Sequence, residues 1–223
     1  MKRALIILAT LLIAPSFAAF QQAMPLGLML ALDFESVENG LIPTKTLYPL
    51  DVPVGELNIE WHNGRNVLVF PENSQLDIPH SALLDPRGEE WIVSTRAFCL
   101  TDGVVVSQFN DSHGFAICFQ DEQFIAWVKT GDTVFKLEEN PHRGRGVSKF
   151  RKKWVTVEIK IRDGAALLYL NRTLVAMAKG QPALSGSNMR IRVGTPSTAP
   201  SPFDDLPQTG FTGAINSFKI TRQ

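Results

Sequence analysis

An alternating row of β-branched residues is the feature that most constrains the fold of this chain. In Trp154–Ile161 every second residue is Val or Ile, and Thr, Glu and Lys stand between them. Successive side chains of a β-strand point to opposite faces, so this period of two predicts a strand with one buried and one solvated face. Met189–Val193 repeats the pattern, with Arg190 and Arg192 between its apolar residues.

About a dozen such runs follow one another, separated by residues that favour turns. Asn110–Gly114 separates two apolar runs and predicts a hairpin. Asn171-Arg172 predicts a two-residue turn between Leu167–Leu170 and Thr173–Met177. No helical period, heptad or internal repeat is evident in the sequence. Many short strands without helices between them predict an all-β protein, either a sandwich or a barrel.

The first 18 residues predict a signal peptide. Lys2 and Arg3 precede the apolar run Ala4–Ile13, and Ser16-Phe17-Ala18 has small residues where a signal peptidase cleaves. We expect cleavage after Ala18, which leaves residues 19–223 as one domain that is secreted, periplasmic or on the cell surface. Neither this apolar run nor a later, shorter one is long enough to span a bilayer, so no integral membrane protein is predicted.

The charges of the chain are balanced but locally uneven. The full chain has 22 basic and 22 acidic residues, so no net field attracts nucleic acid, and we expect no nucleic acid partner. The segment His142–Lys153 nevertheless holds six Arg or Lys residues and no acid. We expect Arg143, Arg145 and Lys149 to bind an acidic polysaccharide or lipopolysaccharide phosphate there. The alternative is a solvated loop before a strand.

Two cysteines, Cys99 and Cys118, lie in strand-like runs. An exported protein can form a disulfide, which requires the two Cβ atoms to lie about 4 Å apart. The alternative is a pair of buried thiols that act as small apolar side chains. The sequence leaves both possibilities open.

Three parts of the chain resemble bacterial laminin G-like domains, which belong with the concanavalin A-like lectins and glucanases. Asn66–Ala97 resembles their opening strands, Lys153–Val175 their central strands, and Ile191–Gly194 with Phe211–Ile220 their closing strands. The resemblance implies an antiparallel jelly-roll sandwich of two sheets. It also implies a secreted, non-catalytic binding module whose ligand is a glycan or polysaccharide, although fold alone is an indirect argument for function.

The same resemblance implies a structural calcium ion where the two ends of the domain meet. Carboxylate and amide oxygens of Asp33, Glu35 and Asn216 are the nearest matches to its ligands, since calcium takes six to eight oxygens. The family often has Asp at the position of Asn216, so one negative charge is missing here. The alternative is that these residues are ordinary polar strand ends.

Aromatic side chains on the solvated faces of strands predict a surface on which sugar rings could stack. Trp127 and Tyr169 each alternate with the apolar face of their strand, and Trp154 alternates with the valine row. We expect Trp127 and Tyr169 to contact glycan. The alternative is that these rings pack under loops or between the sheets.

The sequence contains no recognisable catalytic motif. Asp33-Phe34-Glu35 places two carboxylates two residues apart, but a retaining glycosidase needs such a pair on one strand face, and this pair lies at the first strand. Neither a Gly-x-Ser-x-Gly elbow nor a His-Glu-x-x-His zinc motif is present. We therefore expect no enzyme. Two alternatives to a glycan-binding module stay open: an extracellular adhesion or structural domain that binds protein, and an unrecognised glycan hydrolase or lyase.

Overall fold

The computed structural model describes residues 27–46, 50–81, 84, 90–140, 148–180, 182, 186–198 and 200–222. The predicted signal peptide, residues 1–18, lies outside them. The strands, in chain order, are β1 (Leu28–Leu32), β2 (Leu41–Ile42), β3 (Thr44–Lys45), β4 (Val52–Pro53), β5 (Asn58–His62), β6 (Arg65–Phe70), β7 (Leu76–Ile78), β8 (Trp91–Cys99), β9 (Gly103–Phe109), β10 (His113–Gln120), β11 (Gln123–Thr130), β12 (Thr133–Leu137), β13 (Trp154–Arg162), β14 (Ala165–Leu170), β15 (Thr173–Lys179), β16 (Ile191–Val193) and β17 (Gly213–Arg222).

Two antiparallel sheets form a sandwich. In the described part of the chain, the larger sheet has nine strands, in the order β15-β14-β13-β8-β17-β1-β3, with β6 also paired to β17 and β5 paired to β6. The smaller sheet has six strands within the described ranges, in the order β12-β11-β10-β9-β16-β7, and β2 pairs with β4 separately. Strands distant in sequence are neighbours in both sheets, as in a jelly roll. The predicted all-β jelly-roll sandwich is confirmed.

Helix is nearly absent from the described residues. One turn of 3-10 helix, Phe34–Ser36, follows β1, and the side chain of Asp33 caps it. In the described part of the chain, no helix is long and apolar enough to cross a membrane.

The core lies between the two sheets and is filled by the alternating rows. The Val and Ile residues of β13 are buried, whereas Thr156, Glu158 and Lys160 are half-buried on the opposite face. β8 alternates in the same way, with Trp91 and Val93 inside. Burying a Val, Ile or Phe side chain contributes about 1.5–3 kcal/mol, so these rows account for much of the driving force for folding. The predicted faces of β13 are confirmed.

A second apolar cluster covers the outer face of the smaller sheet. Phe203 and Leu206, from the segment before β17, pack there against Phe109 and Trp127 of the sheet. The ring centroids of Phe109 and Phe203 are 5.3 Å apart. The central strands of the smaller sheet are therefore buried on both faces.

The hairpin that joins β14 to β15 turns at Asn171 and Arg172, as predicted. Both residues have left-handed backbone conformations, with φ of 49° and 70°. Arg at the second position carries a cost of about 1–2 kcal/mol that Gly would avoid. The side chain of Asn171 compensates in part by accepting a hydrogen bond of 3.0 Å from the backbone N–H of Thr156.

The two cysteines are free thiols, and both are buried. Cys99 is in β8 of the larger sheet and Cys118 is in β10 of the smaller sheet. Burial raises the pKa of both thiols, because a thiolate would be poorly solvated there. The structure thus corresponds to the alternative of two buried thiols.

Candidate functional site

The outer face of the larger sheet is its solvated face, and it carries a group of aromatic rings. Trp154 begins β13 and lies directly opposite Phe98 of β8 in the strand register. Both side chains point outward because Val155, Ala97 and Cys99 beside them are buried in the core.

Three rings meet at this position. The ring centroids of Phe98 and Trp154 are 5.5 Å apart, and the imidazole of His62 lies 5.8 Å from Trp154 and 6.5 Å from Phe98. His62 is exposed and ends β5, just before the turn Asn63-Gly64 that leads into β6. We call Phe98, Trp154 and His62 the ring group.

An arginine completes the ring group. Arg96 lies one row along the outer face, opposite Thr156, and its guanidinium carbon is 5.7 Å from the centroid of the Trp154 ring. This distance suits a cation–π contact. The group therefore combines flat apolar rings with the hydrogen-bond donors of a guanidinium, a combination that suits the C–H face and the hydroxyls of a sugar.

Tyr169 lies on the same outer face, as the alternation predicted. It is half-buried and pairs with Glu158 of β13. Glu158 is four residues after Trp154, so Tyr169 lies about 13 Å from Trp154 along the strand at 3.3 Å per residue. The ammonium of Lys160 is 4.5 Å from the centroid of its ring. The structure thus places Tyr169 and the ring group on one surface.

Trp127 is not on a free surface. Its side chain does point away from the core between the sheets, but it is only 2% exposed because Phe203 and Leu206 cover it. The ring centroids of Trp127 and Phe203 are 6.2 Å apart. The expectation that Trp127 offers a ring to a sugar is therefore corrected: a later segment of the chain occupies that face.

The basic loop is described only in its second half. Arg143 and Arg145 lie outside the described residues. Lys149 is exposed and forms an ion pair of 2.8 Å with Glu122, whose pKa is lowered by the hydrogen bond and positive charge of Lys149. Arg151 forms a further ion pair of 2.7 Å with Asp102. Acids from two neighbouring turns thus offset part of the positive charge predicted for this loop.

The three predicted calcium ligands lie near one break in the larger sheet. β17 pairs with β6 up to Ile215 and with β1 from Lys219 onward, so Asn216 lies where its partner changes. Asp33 follows β1, and Glu35 accepts a hydrogen bond of 3.0 Å from the backbone N–H of Asn66 at the start of β6.

The fit of this set to calcium is mixed. The side-chain oxygen of Asn216 is buried and has no hydrogen-bond partner among the described residues, which leaves a ligand atom available. Asp33, however, already accepts from the Ser36 hydroxyl and lies 3.2 Å from the ammonium of Lys45. Among the described residues, no three His, Cys, Asp or Glu side chains are grouped as a metal site. The side chains that could ligate calcium at this break are therefore two carboxylates and one amide.

A polar groove of about 490 Å³ opens beside the smaller sheet. Acidic and amide side chains predominate in its lining, which consists of Gln120, Asp121, Gln123, Ile125, Lys136, Glu138, Asp204, Asp205, Leu206 and Gln208. Lys136 bridges two of the acids, at 3.2 Å from Glu138 and 3.7 Å from Asp205.

A second groove, of about 440 Å³, lies at β7 and includes Asp77 and Arg190. Asp77 accepts hydrogen bonds of 2.9 Å from both Arg190 and Arg192. Burial alone would raise the pKa of Asp77, but the hydrogen bonds and charges of the two arginines outweigh it and the pKa is lowered. This cluster ties β7 to β16 across the edge of the smaller sheet.

Sequence reasoning missed His62, Phe98 and the exposed Trp61. Two sequence signals were available: Phe98 stands between the small apolar residues Ala97 and Cys99, and Asn63-Gly64 is a strong hairpin turn. Trp61, on the same hairpin, is 69% exposed. No local pattern indicates that this hairpin brings His62 to β8 and β13.

The fold is shared with solved structures of low sequence identity. The binding domain of botulinum neurotoxin serotype G matches 88% of this chain and 48% of its own, with a TM-score of 0.61 and 15% identity. Domains LG4-5 of mouse laminin α1 match 69% of this chain and 40% of their own, with a TM-score of 0.57 and 12% identity. The CBM40 of the Ruminococcus gnavus IT-sialidase, bound to α2,3-sialyllactose, matches 70% of this chain and 90% of its own, with a TM-score of 0.53 and 12% identity.

The class of the molecule follows from these observations: it is an antiparallel jelly-roll sandwich of the kind found in laminin G domains and carbohydrate-binding domains. The chain spans about half the length of the toxin binding domain. No protein-family model matches the sequence, and no curated protein matches it either. At these identities the likeness shows the fold alone.

Proposed function

We propose that this chain is a non-catalytic carbohydrate-binding domain that binds glycan at the ring group. The observation that carries the proposal is the meeting of Trp154, Phe98 and His62 within 5.5–6.5 Å on the solvated face of the larger sheet. An exposed or half-buried aromatic face costs free energy in water, and stacking against sugar C–H groups recovers it. The glycan bound to the CBM40 neighbour supports a carbohydrate ligand on this fold.

We further propose that binding takes place outside the cytoplasm. The order of charge, apolar run and small residues in positions 1–18 supports export, and residues 19–223 would then be the working domain. The partner would be a free glycan, a polysaccharide or a glycan-bearing surface.

One observation favours a second candidate, an adhesion domain that binds another extracellular protein. Trp61 is 69% exposed near the end of a hairpin, and tryptophan is enriched among the residues that dominate protein interfaces. Trp61 points to the opposite face of β5 from His62, so the two candidates use different surfaces.

We keep the structural calcium as part of the proposal. It would join Asp33 and Glu35 to Asn216 and so fasten β1, β6 and β17 at the break in the larger sheet. The buried, unpartnered oxygen of Asn216 supports it, because such an atom otherwise costs about 1–3 kcal/mol.

The proposal is tested by glycan-array screening of residues 19–223, followed by calorimetry on the best ligand with Trp154→Ala and His62→Ala. Trp61→Ala is the matched control, since it removes an exposed aromatic from the other face. We expect each ring-group variant to bind about threefold to tenfold more weakly, because an aromatic contact contributes about 0.5–1.5 kcal/mol.

The outcomes separate the candidates. Unchanged glycan affinity in both ring-group variants contradicts the site, and absence of binding to any glycan contradicts the function. Loss of partner binding in Trp61→Ala alone would support the adhesion domain. Cleavage of a polysaccharide by the parent protein would support a hydrolase or lyase instead. His62→Ala provides an independent test of the site if Trp154→Ala misfolds, because His62 is exposed and its replacement should leave the fold intact.

A further inference from the structure

Positive charge is concentrated on the outer face of the larger sheet. The register of β17, β8, β13, β14 and β15 assigns five basic side chains and one acidic side chain to this face, although the chain as a whole has 22 of each sign. The basic residues are Arg96, Lys160, Arg162, Lys179 and Lys219, and the acid is Glu158.

These charges are arranged in successive rows that start beside the ring group. Same-face residues of a strand repeat about every 6.6 Å, so the outward residues of β13 define rows across the sheet at that spacing. From the ring group outward, the rows contain Arg96 beside Thr156, Lys219 with Glu158, then Lys160, and finally Arg162 with Lys179.

Much of this positive charge is not offset by neighbouring acids. Glu158 pairs with Lys160 at 3.3 Å, and Arg162 pairs with Asp163 at 3.0 Å. Among the residues that the structure describes, Arg96, Lys179 and Lys219 form no ion pair. Each of the four rows thus contains a basic side chain, and three of the rows contain one without an acidic partner.

We propose that the ligand of this face is a linear acidic polysaccharide that lies along β13, an inference that rests on the proposed function. One end of the chain stacks on Trp154, a later sugar unit contacts Tyr169 about 13 Å further on, and carboxylates or sulfates follow the basic rows. A chain with an acidic group on every unit supplies anions along the whole length of the basic rows. Charge complementarity along the basic rows, about 20 Å from Thr156 to Arg162, then selects an acidic chain over a neutral one.

The distribution of rings favours a glycan over nucleic acid. Sites for single-stranded nucleic acid interleave stacking aromatics with basic residues along the whole groove. Here the three clustered rings lie at one end of the face, and Tyr169, about 13 Å away, has the ammonium of Lys160 4.5 Å from its ring centroid.

The experiment compares three polymers: polygalacturonate, the same polymer with its carboxylates methyl-esterified, and single-stranded DNA. Affinities are measured at low and high salt for the parent, for Lys179→Gln/Lys219→Gln, and for Lys129→Gln/Lys136→Gln. The second double variant is a charge control, because it also removes two positive charges, but from the smaller sheet. Both target lysines are exposed strand positions, so folding should not be affected.

We expect polygalacturonate to bind and the esterified polymer to bind at least tenfold more weakly. The outer-face variant should bind roughly tenfold more weakly than the parent at low salt, since each exposed ion pair with the polymer contributes a factor of a few. For this variant, the slope of log affinity against log salt concentration should become less negative than for the parent. We expect a change of about 0.7 for each ion pair that the substitutions remove, as for single-stranded polyanions. The control variant should resemble the parent.

Four results would overturn the inference. If the esterified polymer binds as tightly as polygalacturonate, the ring group binds neutral glycan. The proposed function would then stand, and only this inference would be wrong. Equal weakening in both double variants would show that charge acts non-specifically. Tighter binding to DNA than to polygalacturonate would replace the glycan by nucleic acid. If no arrayed glycan and no polymer binds, the proposed function fails together with this inference.

Discussion

Replacing Trp127 by Ala tests whether the 203–206 segment truly closes the outer face of the smaller sheet. Trp127 is 2% exposed and packs in one apolar cluster with Phe109, Phe203 and Leu206. Its removal leaves a cavity that these neighbours can fill only by moving. A buried Trp→Ala substitution costs about 3–5 kcal/mol, a large share of a typical total stability of about 5–15 kcal/mol.

The measurement is thermal unfolding by circular dichroism, with urea unfolding as a second probe. For a domain of this size, 1 kcal/mol shifts the Tm by about 2–4 °C, so we expect a decrease of about 6–20 °C. Trp61→Ala is the control: its side chain is 69% exposed, and its effect should stay within about 0.5 kcal/mol.

A small effect of Trp127→Ala on thermal stability would contradict this reasoning. A Tm decrease below about 3 °C for Trp127→Ala would mean that the ring is solvated and that the covering segment is displaced in solution. The expectation of a sugar-stacking ring at Trp127 would then regain support. Glycan binding measured well below the Tm should be unchanged in this variant if the ring group is the site.

Four further predictions concern other parts of the molecule. Because its pKa is lowered in the folded state, Asp77 contributes stability that is complete above its unfolded pKa of about 3.9 and is lost as pH falls through the folded pKa. The Tm difference between wild type and Asp77→Asn should therefore shrink below about pH 4; a constant difference contradicts the ion cluster. Cys99 and Cys118 should resist iodoacetamide in the native state and both react after unfolding without reductant, as mass spectrometry would show; no reaction after unfolding would indicate a disulfide. Calcium should raise the Tm and a chelator lower it, with no response in Asn216→Ala; identical curves for the wild type remove the site. Mass spectrometry of exported material should find an N-terminus near Ala19, whereas a product that still begins at Met1 contradicts the signal peptide.

The predictable part of the fold is the part set by local periodicity. The valine row of β13 and the turn at Asn171 and Arg172 are short-range patterns, and each is found where it was expected. A period of two follows from strand geometry alone, so it identifies faces without knowledge of the partner strands.

The candidate site was less predictable because it depends on what covers each face. Alternation placed Trp127 and Tyr169 opposite the apolar faces of their strands, and both do lie there. Phe203, more than seventy residues later in the sequence, covers the first and not the second. Whether a distant segment covers a strand face depends on the tertiary structure, and the sequence around that strand does not indicate it.

The surface charge of the molecule could not be predicted from the local sequence either. The basic loop is dense in sequence, yet Lys149 and Arg151 pair with acids from other turns. Arg96, Lys179 and Lys219 are dispersed in sequence and come together only when β17, β8, β13, β14 and β15 align. Linear charge density is therefore a poor guide to the surface potential of a sheet.

The position of β17 has a consequence for how the molecule assembles. This strand separates β8 from β1 and β6, and it pairs Thr221 with Leu28 and Gly213 with Cys99, across more than a hundred residues of sequence. Folding slows as the mean sequence separation of contacts rises. Until residues 213–222 pair, the larger sheet consists of three unjoined pieces, β15-β14-β13-β8, β1-β3 and β5-β6, whose open edges promote aggregation. The larger sheet can therefore close only when residues 213–222 have paired with β8, β1 and β6, so closure is a late step of folding.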